Sequence, residues 1–178
     1  MVGKEAPPSV VADLIYDNVS SKNQYLENKK SLITSFPLVY KTLEDLRFDI
    51  AYFIEGNIKV TETFDAPVIL KCVDTKSLKG KKAKIEIIDD TTFSFIDLLT
   101  REEQIRKFNE KFLFYNTEVS IRYNINYFDH NIEIPTTIIR FYDLQQLSLF
   151  YKKKINVAQD NRESSVINIS VLTPDEKK

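Results

Sequence analysis

Between Tyr25 and Phe64 the spacing of apolar residues changes from helical to extended within one unbroken block, YLENKKSLITSFPLVYKTLEDLRFDIAYFIEGNIKVTETF. Phe36, Val39, Tyr40 and Leu43 recur at i, i+3, i+4 and i+7, one stripe of an α-helix, with Lys41, Glu44 and Asp45 turned to water. Ser35 stands where an N-cap would. Pro37 suits an early helical turn, so a preceding helix carrying Tyr25, Leu26, Leu32 and Ile33 is expected to bend or restart there. From Ile50 the period falls to two: Ile50, Tyr52 and Ile54 share a face, and Gly56 with Asn57 supplies the turn of a hairpin into Ile58 and Val60.

The same reading extends along the chain. Ser9 to Asp17 alternates as a first strand, apolar on both faces; Pro67 to Val73 and Ala83 to Asp89 are two more, joined by a lysine-rich connection around Gly80. Asp89 and Asp90 turn the chain into Thr92 to Ile96, where Phe93 and Phe95 share a face. Thr100 and Glu103 have the spacing of a capping box, which predicts a short helix through Arg106 or Phe108. Glu118 to Phe128 is the cleanest strand, with Val119, Ile121, Tyr123, Ile125 and Tyr127 on one face. A further strand is expected over Thr136 to Phe141, then a helix capped by Asp143 with Leu144, Leu147, Phe150 and Tyr151 as its buried stripe. Ile155 and Val157 begin a return strand, residues 160–163 turn, and Ser165 to Leu172 closes the pattern. The fold class that follows is α+β (α/β), a mixed, mostly antiparallel sheet packed against two or three helices.

Residues 1–8 read as an irregular leader or a cloning scar, and residues 9–178 as a single α/β domain. At the other end Thr173, Pro174 and Glu176 occupy N-cap, N1 and N3 of a capping box, yet the chain ends at Lys178. A helix begun and not continued predicts that the natural chain is longer, because two or three residues do not pass the nucleation barrier.

Composition narrows the classes. With 43% hydrophobic residues and three glycines in 178, the chain is too apolar for disorder and too poor in turn residues for a loop-rich scaffold. Lysine plus arginine number 25 against 26 acidic residues, so no net field draws it to nucleic acid. Cys72 is alone, which excludes an intramolecular disulfide or a cysteine metal cluster, and its neighbours predict a buried thiol. No apolar run approaches the roughly 20 residues of a membrane helix, so the chain by itself is expected to be soluble.

No catalytic, cofactor or metal site can be assigned. His130, between Asp129 and Asn131, reads as an exposed loop residue in preference to a base or ligand. Asp89 with Asp90, and Glu102 with Glu103, are adjacent pairs that diverge on a strand or helix, so turn and helix-start roles are favoured over an acid/base pair. Lys79 to Lys84 holds one glycine and reads as a charged connection; Lys152 to Lys154 reads as a solvated helix end, with contact to an acidic glycan or headgroup left open. Asn18 and Asn168 head chance-level glycosylation patterns. Tyr16, Tyr25, Tyr115, Tyr123 and Tyr127 could line a carbohydrate groove, but their parity favours core and edge positions.

The order of elements and the words within it carry a resemblance. The block Tyr25 to Phe64, with Leu32 and Ser35 closing one run, Leu43 and Leu46 closing the helix, and the extended aromatic stretch ending in Glu55 and Gly56, resembles the periplasmic segment of chain-length determinant proteins. These are the polysaccharide co-polymerases, in particular the forms that also carry a cytoplasmic tyrosine autokinase. Val10 to Tyr16 (VVADLIY) is similar to the family's first strand, the last strand and ThrProAspGlu to its closing strand and helix start, and Lys107 to Glu110 to a family PheGlyGlu word with Asn109 in place of glycine. The likeness is dense over 9–73 and 143–176; the flanking membrane helices, the kinase module and the long helical arm are not in this chain. The resemblance implies a non-catalytic domain without cofactors, at the periplasmic face of the bacterial inner membrane. There it would regulate the length or export of a surface polysaccharide by assembling into a homo-oligomer, with the polymerase or export machinery and the nascent polysaccharide as partners. A soluble carbohydrate- or ligand-binding module using exposed tyrosines is the alternative, and an enzyme a more distant one.

Overall fold

The computed structural model describes residues 24–56, 58–125, 127, 134–159 and 166–172. The fold is α+β: the described residues form three helices and eleven strands, and every ladder among them is antiparallel. The chain divides into two compact units, one made of residues 1–41 and 148–178, the other of Thr42–Leu147. The expected strand over Ser9 to Asp17, the leader, the turn at 160–163 and the terminal capping box lie outside the described residues.

In the first unit helix α1 (24–33) ends where Thr34 and Ser35 break the periodicity. The Thr34 hydroxyl turns back onto the Lys30 carbonyl at 2.9 Å, and the Ser35 N–H donates to Leu32 in a tighter turn at 3.0 Å. Helix α2 (Phe36–Asp45), whose last four residues are counted with the second unit, restarts at once, the Ser35 carbonyl accepting its first bond from the Val39 N–H at 3.1 Å. Its predicted stripe is the protected one: Val39 and Leu43 are buried, Phe36 and Tyr40 half-buried, and Lys41, Glu44 and Asp45 exposed. Helix α3 (Leu144–Lys154), whose first four residues are counted with the second unit, is capped by Asp143, whose Oδ1 accepts the Gln145 N–H at 2.9 Å. The stripe expected on α3 is only partly covered. Ser148 is fully buried, Leu144, Leu147 and Tyr151 are half-buried, and Phe150 is exposed. Strands β10 (Ile155–Gln159) and β11 (Ile167–Val171) form a separate two-stranded ladder.

The second unit is a sandwich. Strands β1 (Ile50–Glu55), β2 (Val60–Thr63), β4 (Lys82–Ile87), β5 (Thr92–Asp97), β6 (Glu103–Lys107) and β9 (Thr136–Phe141) make a six-stranded sheet in the order β2-β1-β9-β4-β5-β6. The second sheet has the order β3-β8-β7, with β3 (Val68–Cys72), β7 (Lys111–Phe114) and β8 (Thr117–Tyr123). One core joins them: Ala83, Ile85, Phe93, Phe95, Ile139 and Phe141 from the first sheet meet Val68, Leu70, Phe112, Phe114, Val119 and Ile121 from the second. Strand β1 is covered on both faces, for Ile50 and Tyr52 pack on this core while Ala51 and Phe53 pair with Ile138 on the other side. Period-two reasoning therefore found one of its two apolar faces.

Three expectations change. The capping box at Thr100 and Glu103 does not start a helix: Arg101 takes φ +62°, Glu103–Lys107 pairs with β5, and the Glu103 carboxylate accepts the Ser94 hydroxyl of the neighbouring strand at 2.6 Å. A cross-strand bond has taken the side chain that the box required. Strand β8 stops at Tyr123, short of Phe128, because the Asn124 amide turns to the Ala66 carbonyl at 2.8 Å and to Asp65 at 3.1 Å, and Ile125 is exposed. Cys72 is half-buried, with the Arg47 guanidinium donating to its sulfur at 3.5 Å.

Candidate functional site

Within the sandwich, a cleft of about 220 Å³ opens where the β5–β6 turn and the β7–β8 turn come together. Its floor is aromatic: Phe95 meets Phe112 and Phe114 edge-on, with ring centroids 5.0 and 4.9 Å apart. Its rim is polar, formed by Asp97, Thr100, Glu102, Gln104 and Tyr115.

Each side of the cleft is held by a turn with an uncommon backbone. Strands β7 and β8 pair Phe114 with Thr117, leaving Tyr115 and Asn116 as a two-residue loop at φ +46° and +64°, as a type I′ hairpin turn demands. Asparagine tolerates that region, whereas a bulky residue such as Tyr115 enters it rarely, at a cost of about 1–2 kcal/mol. The ring is held from two sides: Phe114 packs against it at 4.8 Å, and the Lys81 ammonium sits 4.0 Å from its centroid.

On the opposite side Asp97 ends β5 and organises the turn that follows. Its Oδ1 accepts the Leu99 N–H at 2.8 Å, and its carbonyl accepts the Arg101 N–H at 2.8 Å. Burial works to raise the Asp97 pKa, but the Tyr115 hydroxyl, the Leu99 N–H and Thr100 outweigh it and hold the carboxyl below its usual range. The same carboxylate, helped by desolvation, pushes the Tyr115 phenol up to about 12. The Tyr115 hydroxyl is closed off from solvent, and the Asp97 carboxylate is the group it faces. A cleft therefore exists in which a protonated phenol, two carboxylates and an amide line an aromatic floor. It offers hydrogen bonds and an apolar face, and no nucleophile–base pair.

The other residues singled out in the sequence lie elsewhere. Asp89 closes the β4–β5 hairpin: its Oδ1 accepts the Thr91 and Thr92 N–H groups at 2.7 and 2.8 Å, its Oδ2 accepts the Thr92 hydroxyl at 2.7 Å, and bonds from Thr91 and Thr92 lower its pKa to about 2. Glu102 and Glu103 diverge, one to the cleft and one to Ser94. In the Lys79 to Lys84 connection Gly80 takes φ +74°, Lys79 pairs with Asp143 at 3.2 Å, and Lys84 pairs with Glu86 at 2.8 Å and Glu55 at 3.3 Å. Lys152, Lys153 and Lys154 form the last turn of α3, with Lys154 beside the Phe150 ring. Tyr25 is exposed, Tyr123 stacks edge-on with Phe108 at 5.3 Å, and Tyr127 lies in a turn after β8. Asn168 sits exposed on β11; Tyr16, Asn18 and His130 lie outside the described residues. Of the tyrosines named from the sequence, Tyr115 alone lines the cleft; Asp97, Thr100 and Gln104 carried no sequence signal of a site.

Among the described residues no helix is long and apolar enough to cross a membrane, and no group of acidic, histidine and cysteine side chains could hold a metal ion. No protein-family model matches the sequence, and no curated protein matches it significantly.

Proposed function

We propose that this chain is the periplasmic base of a polysaccharide co-polymerase, a non-catalytic domain that regulates the length or export of a surface polysaccharide through homo-oligomer contacts. The observation that carries the reading is the block from Tyr25 to Phe64, whose words resemble that family and which folds as helix, break, helix and hairpin. The hairpin closes where the family stretch ends, Glu55 pairing with Val60 and the Gly56 N–H donating to the Lys59 carbonyl at 3.0 Å. Asn109 supports it as well: it stands where the family word has glycine, and it takes φ +65°, a conformation glycine adopts freely and asparagine tolerates.

The test is genetic. Deleting the reading frame that contains this sequence from its host should broaden or shift the size distribution of one surface polysaccharide on a gel, and the intact protein should sediment from membranes as a multimer. An unchanged polysaccharide profile together with a monomeric intact protein rules the reading out. A second reading, a carbohydrate- or ligand-binding module, is favoured by one observation, the polar cleft beside Tyr115.

A further inference from the structure

We infer that the outer face of the six-stranded sheet, the one turned away from the shared core, carries a site for a single phosphate group, built on Arg140 of β9 and Lys82 of β4. The site goes beyond the function proposed above and does not rest on it.

Register brings the two cations together. Lys82 and Arg140 are partners in the β4–β9 ladder, so both side chains leave the sheet on one face, while Ala83, Ile139 and Phe141 take the opposite parity and enter the core. The Lys82 carbonyl accepts the Leu98 N–H at 3.0 Å on the β5 side. Toward β9 the pair is therefore a non-hydrogen-bonded one, in which Cα atoms stand about 4.5 Å apart and side chains come closest. Like charges placed directly opposite repel, and the acids of that face do not relieve them. Glu55 and Glu86 both go to Lys84, Glu103 takes the Ser94 hydroxyl, and Asp49 is held by Thr75 at 2.6 Å and Arg47 at 3.4 Å. Among the described residues neither Lys82 nor Arg140 has an acidic partner.

Arg140 is also fixed in orientation. Its guanidinium sits 4.0 Å from the centroid of the Phe53 ring, on the same face of the adjoining strand β1. The Nε is closed off from solvent, whereas the two terminal nitrogens are not, so the open edge of the guanidinium is an end-on pair of N–H donors. A planar fork held in place by a ring matches two oxygens of one oxyanion, and the ammonium of Lys82 adds a second positive charge beside it. A phosphate dianion answers both cations at once; a carboxylate fills the fork and leaves the repulsion half relieved. Lys82 is exposed and Arg140 half-buried, which leaves the pair open on the solvent side.

The test is a titration of the ¹⁵N-labelled full chain, at low ionic strength and neutral pH, with inorganic phosphate, glycerol phosphate and acetate, read as amide shift changes. Phosphate should give saturable shifts centred on Lys82, Arg140 and Ala51, and acetate should bind at least about fivefold more weakly. Tighter binding of glycerol phosphate assigns the site to a phosphomonoester, and tighter binding of phosphate to the free ion. Arg140→Lys keeps the charge and removes the fork, and should weaken phosphate about fivefold or more. Lys82→Gln, at an exposed position, should weaken it about threefold and, without phosphate, raise the Tm by about 1–2 °C by removing the like-charge pair. Absence of saturation at tens of millimolar phosphate, an equal response to acetate, unchanged binding in both variants, a lowered Tm for Lys82→Gln, or shifts centred elsewhere overturns the inference.

Discussion

Phe95 bridges the two sheets of the sandwich directly. It lies on the six-stranded sheet, is 3% exposed, and meets two rings of the three-stranded sheet, Phe112 and Phe114, at 5.0 and 4.9 Å with interplanar angles of 75° and 77°. Truncating a buried phenylalanine to alanine costs about 3–5 kcal/mol, the spread reflecting how far the site can collapse. Here collapse is opposed, since the void would open between two hydrogen-bonded sheets. Phe95→Ala should therefore fall in the upper half of that range, about 4–5 kcal/mol, and lower the Tm by about 10 °C for a chain of this length. Phe95→Leu retains most of the apolar volume and forfeits the edge-on contacts, and should cost about 1–2 kcal/mol. Urea unfolding followed by far-UV circular dichroism and by tyrosine emission, which the lack of tryptophan leaves clear, measures both. A double-mutant cycle of Phe95→Leu with Phe114→Leu should return a coupling of about 0.5–1.5 kcal/mol. A cost for Phe95→Ala under about 2 kcal/mol, or a coupling indistinguishable from zero, would refute the claim that one shared core joins the sheets.

Asn109, at φ +65°, should accept glycine with no loss of Tm, whereas Asn109→Val should cost about 1–2 kcal/mol, because a β-branched residue resists the left-handed region; equal melting temperatures for the two variants would contradict this. The Asp89 carboxyl has a folded-state pKa of about 2, below its unfolded value, so the stability it contributes is fully present above about pH 4 and is lost as pH falls toward 2. Replacing Asp89 by alanine should flatten that limb of the stability curve, and an unchanged acid limb would show that the hairpin turn does not depend on the charge. Burial raises the Cys72 thiol pKa and the adjacent Arg47 only partly offsets it, so iodoacetamide at pH 7.5 should alkylate it more slowly than a free peptide thiol; an equal or faster rate would show that the guanidinium dominates.

Elements whose signal is local were legible in the residues. Helix α2 follows from its stripe, β9 occupies the expected Thr136–Phe141, and the β4–β5 hairpin turns on the aspartate that marked it. The losses came where distant partners decide. Thr100 to Glu103 has the same pattern whether it starts a helix or leads into an edge strand, and the choice rests on Ser94, nine residues upstream of Glu103. Strand β7 passed unnoticed, since four residues followed by Tyr115 and Asn116 contain neither glycine nor proline to announce a hairpin. The cleft was illegible for the same cause: it is assembled from residues between 95 and 115 that become neighbours only once β5, β6 and β7 are in place. Tyr115 was noticed as one of several aromatics, but its buried hydroxyl is a property of the fold and has no sequence signature.

The scarcity of glycine at the bends bears on how fast this chain reaches its native state. Five described residues other than glycine, Arg47, Arg101, Asn109, Tyr115 and Asn116, sit at positive φ, so these bends are opposed by local preference and held by what surrounds them. They make poor nuclei. At the centre of the larger sheet, β9 at residues 136–141 is flanked by β1 at 50–55 and β4 at 82–87, pairings that close long stretches of chain before any bond forms. A sandwich wired in this way is expected to refold in milliseconds to seconds, with the register chosen by distant strands and the corners settling last.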